Sequence, residues 1–215
     1  MRLLLVNPNT SPATTEAMVA IARDAMPGIT IEGLTAPFGV PLITNAAELA
    51  TAAEAVVAAL AAPPAGIDGV IVSAFGDPAL PRLRDLLAVP VTGIAEAGMA
   101  EAAVTGRRFA VVTTTPDLAA SIAGLAGRYG HDAAFLGTVL TEGDMQTVMA
   151  DRDRLVEALL AACRRAIRDL GAEAIVIGGG PLAVAARRIS ADVAVPLVEP
   201  VPAAVRLAVA RAAKV

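Results

Sequence analysis

Short apolar runs alternate along the chain with longer, Ala-rich stretches that carry apolar residues at helical spacing. Most of the runs are nearly continuous stretches of Val, Ile and Leu, which is typical of strands buried on both faces. Helical stretches between such strands predict βαβ units and a mainly parallel sheet. We predict strands at 3–6, 29–34, 69–73, 89–93, 109–113, 134–140, 174–178 and 195–198.

The clearest helix is predicted from Arg152 to Leu170. Its apolar stripe consists of Val156, Leu159, Leu160, Cys163, Ile167 and Leu170, while arginines occupy the other faces. Cys163 is the chain's one cysteine. Because it lies on the apolar stripe, we expect a small buried hydrophobic residue there and not a reactive thiol.

Three segments of the first half recur in the same order in the second half. RLLLVNPNTSP resembles RRFAVVTTTPDL, GVIVSAFGDPAL resembles EAIVIGGGPLAV, and VPVTGIAEAGM resembles VPLVEPVPAAV. The offsets are nearly constant: 106 from Val6 to Val112, 105 from Ala74 to Gly179 and 106 from Pro90 to Pro196. This predicts two pseudo-symmetric, Rossmann-like α/β lobes, each a mainly parallel sheet flanked by helices. Chance similarity among Ala- and Val-rich strands is the alternative.

Proline marks the expected start of a helix in four strand-to-helix turns: Ser11-Pro12, Asp77-Pro78, Thr115-Pro116 and Gly180-Pro181. Proline suits the first helical position, and Ser, Asp or Thr before it can cap the free N–H groups. These turns follow the carboxyl ends of strands, the edge where open parallel sheets bind ligands, and helix N-termini there favour anions. If the lobes face each other, the turns converge on an active-site cleft between them; otherwise they are ordinary turns.

Composition excludes several classes of partner. Hydrophobic residues make up 56% and charged residues 18% of the chain, enough for a large core. The net charge of -4 argues against nucleic acid. The Ala-rich stretch at 45–66 is broken by Glu48, Glu54 and Pro63, so we expect no membrane span. The first apolar run is too short for a signal peptide and one cysteine makes no internal disulfide, which predicts a cytoplasmic protein.

The sequence predicts neither a metal nor an organic cofactor. His131, the one histidine, falls in a turn between a helix and a strand, where we expect it to be exposed. No second histidine or cysteine cluster supports a zinc site. The glycines at 178–180 lack the spacing of a dinucleotide fingerprint. Glu142 and Asp144 are expected in a solvated loop.

At these turns the sequence resembles the aspartate/glutamate/hydantoin racemase superfamily, and is most similar to its hydantoin and allantoin racemase branch. The similar segments are NPNTS at 7–11, FGDPAL at 75–80, GIAEA at 93–97, RFAVVTT at 108–114 and GGG at 178–180. The resemblance covers almost the whole chain. It implies an active site between two α/β lobes, the first completed by the C-terminal helix. The implied domains are 1–97 with 203–215, and 98–202.

The chain departs from this family at its two cysteines. The resemblance implies that one thiolate removes the α-proton while a second thiol returns a proton to the opposite face. The implied positions hold Ala74 and Gly179, the latter assignable one residue either way. Neither side chain can move a proton, and the hydroxyl of Ser73 is a very poor base without assistance. We therefore expect no two-thiol racemisation.

The resemblance also implies a set of site residues at the strand ends. The expected substrate-binding residues are Asn7, Thr10, Ser73, Ala74, Phe75, Gly76, Thr113, Thr114, Gly179 and Gly180. Asp77 and Glu96 are the candidate catalytic residues in place of the cysteines. Asp77 alternatively caps the helix that begins at Pro78, and Glu96 alternatively only stabilises the first turn of its helix.

The expected function is that of a cofactor-independent, racemase-like isomerase. It would act next to a carboxylate or ring carbonyl of a small amino-acid derivative or cyclic ureide. N–H and hydroxyl donors would stabilise an enolate-like intermediate. The alternatives are a cysteine-less lyase or decarboxylase, and a protein that binds a small anion without turnover. The resemblance also implies a homo-oligomer.

Overall fold

A computed structural model of the protein describes residues 1–214. The chain divides into two compact units, which we call lobes. The first lobe contains Met1–Ala97 and the segment from Val201 onward, and the second is Gly98–Pro200. The sequence-based boundary after residue 202 lies two residues later than this one, because the C-terminal helix already begins at Pro200.

The first lobe is built on four parallel strands, in the order β2-β1-β3-β4. The strands are β1 (Arg2–Asn7), β2 (Thr30–Thr35), β3 (Gly69–Val72) and β4 (Val91–Gly93). The helices are α1 (Pro12–Ala25), α2 (Ala46–Ala59), α3 (Leu80–Leu86) and α4 (Ile94–Ala102). α4 begins in the first lobe and continues into the second.

The second lobe has the strand order β6-β5-β7-β8, again all parallel. Its strands are β5 (Phe109–Thr113), β6 (Phe135–Leu140), β7 (Ala174–Ile177) and β8 (Leu197–Val198). Its helices are α5 (Ala119–Arg128), α6 (Met145–Ala150), α7 (Arg152–Leu170) and α8 (Ala183–Ile189). Short 3-10 turns lie at Val104–Gly106, Pro116–Leu118, Gly180–Leu182 and Ser190–Asp192. The helix α9 (Pro200–Ala212) returns the chain to the first lobe.

The strand orders confirm the prediction of two α/β lobes with parallel sheets. The first strand of each lobe pairs with the second on one side and the third on the other. Corresponding registers agree: Val6 lies opposite Val72 in the first lobe, and Val112 lies opposite Ile177 in the second. The two central strands of each lobe are buried throughout except at Arg2, so their side chains are covered from both faces.

The helix α7 has the bounds that its apolar spacing predicts. Asp151 caps its first turn by accepting hydrogen bonds from the amides of Asp153 and Arg154, and Gly171 ends it in the left-handed region, at φ 66°. Cys163 is fully buried on its inner face, and burial raises the pKa of the thiol to about 12. The structural role predicted for this cysteine is confirmed, because a protonated, inaccessible thiol is unreactive.

The expectation that His131 is exposed is wrong. The side chain is half-buried, and its ring stacks edge-on against Phe109, with centroids 6.0 Å apart. Burial lowers the pKa of the imidazole. Glu142 and Asp144 are exposed, as predicted. Within residues 1–214 no group of three His, Cys, Asp or Glu side chains is placed to hold a metal ion. In the same range, no helix has the length and apolar character needed to cross a bilayer.

Candidate functional site

The carboxyl ends of the strands bring the first lobe's predicted site residues together. β1 and β3 are neighbours, so the turn after Asn7 lies beside the turn that begins at Ser73. The amide and the hydroxyl of Ser73 both donate to the carbonyl of Val6, each at 2.9 Å. Because Ser73 is buried and its hydroxyl proton already has an acceptor, its side chain joins the two turns. Its substrate-binding role stays a prediction.

Asn7 organises the first turn. Its side chain is completely buried, and its Nδ2 donates to Asn9 Oδ1 at 2.7 Å and to Thr15 Oγ1 at 3.0 Å. Its Oδ1 accepts from the amide of Asn9 at 3.1 Å. Ser11 then caps α1 by accepting from the amide of Thr14. Since these bonds occupy both Nδ2 and Oδ1 of the side-chain amide, Asn7 fixes the conformation of the turn and has no free N–H to donate to a ligand.

Thr10 is the first-lobe residue that keeps an available hydroxyl. Its amide donates to the carbonyl of Val40 at 3.0 Å, which ties this turn to the connection between β2 and α2. The side chain is partly exposed, and its hydroxyl bonds to no group within residues 1–214. A hydroxyl in this position can donate a hydrogen bond to a ligand.

The turn from Ser73 to Ala79 is tight and strained. The amides of Gly76 and Asp77 both donate to the carbonyl of Ala74, at 2.9 and 3.0 Å. Phe75 is buried, whereas Ala74 is partly exposed. A Cβ on Gly76 would lie 2.7 Å from Leu49 Cδ1, so a larger residue there would require the Leu49 side chain on α2 to move.

Asp77 does not cap the helix that follows it, which corrects one of the two sequence-based interpretations. α3 begins at Leu80, two residues beyond Pro78. The Asp77 carboxylate instead accepts from the amides of Ala95 at 2.9 Å and Glu96 at 2.7 Å, in the first turn of α4. The residue is 4% exposed, and its backbone lies in the left-handed region, at φ 45°. Both carboxylate oxygens are therefore engaged, which argues against a general base.

Glu96 is held by two arginines. Its carboxylate accepts from Arg84 Nη2 at 2.7 Å and from Arg211 Nη1 and Nη2 at 2.8 Å. Burial works to raise the pKa of Glu96, but the hydrogen bonds from Arg211 and Arg84 outweigh it and lower the pKa below its ordinary value. Because a carboxylate with a lowered pKa is a weaker base, the two arginines oppose the predicted catalytic role of Glu96. The same ion triad links α3, α4 and α9.

The second lobe repeats the arrangement with different side chains. Thr113 ends β5, is buried, and donates to the carbonyl of Gly178 at 2.8 Å across to the neighbouring turn. Thr114 is 4% exposed, with its hydroxyl 3.5 Å from Met149 Sδ, a weak contact. Thr113 therefore joins two turns, as Ser73 does in the first lobe, while the hydroxyl of Thr114 keeps only a poor partner.

Gly178 and Gly179 in the glycine turn differ in how much room they leave for a side chain. A Cβ on Gly178 would lie 2.7 Å from Val111 Cγ1, so that site accepts only glycine. A Cβ on Gly179 would lie 3.2 Å from Leu182 Cγ, so that side chain would have to move by a few tenths of an ångström. Gly179 is also partly exposed, whereas Gly178 and Gly180 are buried. Of Gly178 and Gly179, Gly179 is therefore the position closer to accepting a side chain.

Besides the hydroxyl of Thr10, several backbone N–H groups of the described residues remain without an acceptor at these turns. The amides of Ala74 and Phe75 in the first lobe donate to no acceptor within residues 1–214. In the described part of the second lobe, the same holds for the amides of Thr114 and Thr115. Unengaged amides at strand ends form the kind of site that binds an anion or a developing oxyanion.

The connections at the carboxyl ends of the strands contain no cation. They comprise residues 8–11, 36–45, 73–79, 114–115, 141–144, 178–179 and 199, and none of these is Lys, Arg or His. Their carboxylates are Asp77, Glu142, Asp144 and Glu199. The last three are matched locally: Glu142 pairs with Arg165, Asp144 caps α6, and Glu199 pairs with Arg187.

Sequence reasoning missed the residues that decide how the predicted acids behave. Arg84 and Arg211 neutralise Glu96, yet they lie 12 and 115 positions away from it along the chain. Asn9 completes the turn beneath Thr10, and the NPNTSP segment, in which Asn side chains bond locally to backbone amides, is the signal that predicts this. No local signal predicts the contact from Asp77 to α4.

Comparison with known proteins identifies the family. The family model for Asp/Glu/Hydantoin racemase matches residues 3–208. The structure of allantoin racemase from Klebsiella pneumoniae is 33% identical, covers 100% of this chain and 88% of its own, and superposes with a TM-score of 0.92. For allantoin racemase from Pseudomonas fluorescens the identity is 32%, the coverages 98% and 90%, and the TM-score 0.92. Hydantoin racemase of Paenarthrobacter aurescens is 29% identical over 97% of this chain and 89% of its own. The resemblance predicted from the turns is thus confirmed, and this chain belongs to the Asp/Glu/hydantoin racemase family.

Proposed function

We propose that this protein is a cofactor-independent, racemase-like enzyme that acts on the carbon next to a carbonyl of a small cyclic ureide. The observation that carries the proposal is the pair of unengaged amides at Ala74 and Phe75, at the end of β3, in a chain of this family. Such donors stabilise the oxyanion of an enolate more strongly than the neutral carbonyl from which it forms. The hydroxyl of Thr10, in the connection after the neighbouring strand, is a further candidate donor.

The charge of the turns favours a neutral ring over a free amino acid. A carboxylate substrate is commonly held by an arginine or lysine, and the strand-end connections contain neither. A ureide ring is uncharged at neutral pH and presents carbonyl oxygens to N–H donors. A carboxylate of an amino-acid derivative is the second possibility, held by amides alone.

The side chains on the described residues oppose racemisation by two thiols. Ala74 and Gly179 have no proton to exchange, and Cys163 is buried with a pKa of about 12. Asp77 and Glu96 are committed to α4 and to two arginines. We propose that the enolate-like state forms by proton transfer to water or to the substrate's own groups, with slow exchange as the consequence.

Proton exchange in deuterated water tests this proposal. The protein is incubated separately with enantiopure 5-methylhydantoin, allantoin and L-glutamate, and loss of the α-proton signal is followed by NMR while enantiomer ratios are measured by chiral chromatography. We expect exchange of a ureide above the buffer rate and little exchange of glutamate. Thr10→Val should slow the exchange, whereas Thr51→Val, on the exposed face of α2, should not. Equal rates with and without protein would refute an enzyme of this type.

A binding protein without turnover is the second candidate function. It is favoured by the same observation at Ala74 and Gly179, where proton-transferring side chains are absent. Calorimetric titration with 5-methylhydantoin separates the two functions: saturable heat without exchange or product identifies binding alone. Release of a product, seen in the same NMR spectra, would indicate the lyase alternative. A cytoplasmic location, a homo-oligomer and a shared cleft between the lobes stay predictions.

A further inference from the structure

We infer that Asp77 is a positioning residue, which orients the ligand-facing amides of the Ala74 turn by fastening that turn to the first turn of α4. The inference rests on the proposed function, because it concerns the same amides. We do not expect Asp77 itself to contact a ligand, because the residue is 4% exposed and its carboxylate bonds to the amides of Ala95 and Glu96.

The direction of the Phe75 amide follows from the carbonyl of Ala74. That carbonyl accepts two hydrogen bonds from inside the turn, from the amides of Gly76 and Asp77. In a planar trans peptide the N–H of the next residue points opposite to the carbonyl. Fixing the Ala74 carbonyl toward the turn interior therefore fixes the Phe75 N–H away from it, where it meets no acceptor within residues 1–214.

The turn needs an external restraint because its backbone is strained. Asp77 and Ala79 both have positive φ, 45° and 61°, a conformation that non-glycine residues rarely adopt. Such conformations persist where the surroundings over-determine them, often at functional sites. The two bonds from Asp77 to α4, at 2.9 and 2.7 Å, supply that restraint.

Gly93, the last residue of β4, leaves the space in which the Asp77 carboxylate lies. A Cβ on Gly93 would lie 2.2 Å from Asp77 Cγ, so only glycine leaves space for the carboxylate. The second lobe has no counterpart: 105 residues after Asp77, at the offset that relates Ala74 to Gly179, the chain carries Leu182. The first-lobe turn is thus the one held by a buried acid, and its amides are the ones whose orientation is fixed from outside the turn.

Replacement of Asp77 tests the inference against a matched control. Asp77→Asn puts an NH2 group against an amide donor and breaks one of the two bonds, whereas Asp77→Ala removes both acceptors. Asp151 is the control, since its carboxylate also accepts from two amides at a helix start but lies far along the chain, at α7. Thermal unfolding identifies any variant that fails to fold.

The readout is the amide spectrum of 15N-labelled protein titrated with 5-methylhydantoin. In the natural protein we expect the signals of Ala74 and Phe75 to shift on binding. Asp77→Ala should abolish those shifts and weaken binding by about 10-fold or more, Asp77→Asn should lose part of both, and Asp151→Asn should lower only the unfolding temperature. A folded Asp77→Asn protein that binds as well as the natural one, with the same shifts, would overturn the inference.

Amide hydrogen exchange, measured without ligand, tests the role of Asp77 even if the proposed function is wrong. If 5-methylhydantoin does not bind at all, the proposed function is refuted, yet the restraint is still measurable. Asp77→Asn should then speed exchange at the amides of Gly76, Ala95 and Glu96, since these lose their bonds or their fixed geometry. Unchanged protection at all three would show that Asp77 does not position the turn.

Discussion

The ion triad at Glu96 gives a quantitative prediction. Glu96→Gln removes a carboxylate that is 14% exposed and leaves the guanidinium groups of Arg84 and Arg211, 38% and 31% exposed, close together without their counter-charge. Breaking a fully buried pair costs about 3–5 kcal/mol and an exposed pair at most about 1 kcal/mol. The partial exposure of the arginines places this triad between those limits, so we expect a loss of about 2 kcal/mol. For cooperative unfolding of a chain of this size, that lowers Tm by roughly 4–8 °C.

The loss should depend on pH with a definite sign. The pKa of Glu96 is lowered in the folded protein, so the carboxylate stabilises the fold above its usual pKa of 4.5, and that stabilisation is lost as the pH falls through the folded value. Urea unfolding at pH 7, 5 and 3 should therefore show a full difference between the natural protein and Glu96→Gln at pH 7 and a smaller one at pH 3. The control is Glu54→Gln, at an exposed pair with Arg82, which should cost less than about 0.5 kcal/mol.

If Glu96→Gln costs no more than Glu54→Gln at pH 7, the triad does not stabilise the fold as expected. The same conclusion follows if the difference from the natural protein stays the same at pH 3, because the carboxylate would then not be the stabilising species.

Three further predictions concern the turns and the core. Ala74→Cys combined with Gly179→Cys should raise enantiomer inversion of 5-methylhydantoin at least 100-fold, the usual contribution of a placed acid–base pair, whereas the matching double Ser variant should give no gain in the same chiral assay. Cys163 should react with an aromatic disulfide reagent only in denaturant, since its thiol is buried with a pKa of about 12; a rapid absorbance change in native buffer would contradict this. Asn7→Leu should cost about 2–4 kcal/mol in urea unfolding, because buried partners such as Asn9 lose their hydrogen bonds; a loss under about 1 kcal/mol would contradict that role.

The proline turns show where local rules were enough and where they failed. Ser11-Pro12 starts α1 with the predicted cap, because Ser11 and the amide it bonds are three residues apart. Asp77-Pro78 has the same local pattern, but α3 starts later and the carboxylate bonds to α4, 18 and 19 residues away. Capping patterns predict only bonds within a few residues, so a competing helix start that folding brings close is invisible to them.

The sequence by itself determined the two parallel-sheet lobes, the bounds of α7, the burial of Cys163 and the family, because each depends on periodicity, composition or a recurring segment read along the chain. Only the tertiary structure decided which polar groups at the strand ends remain available. It engages Asn7, Ser73 and Thr113 within and between turns, occupies Asp77 and Glu96, and leaves backbone amides and the hydroxyl of Thr10. The physical reason is that a buried polar side chain must find a partner, and that partner comes from whichever distant segment the fold places beside it.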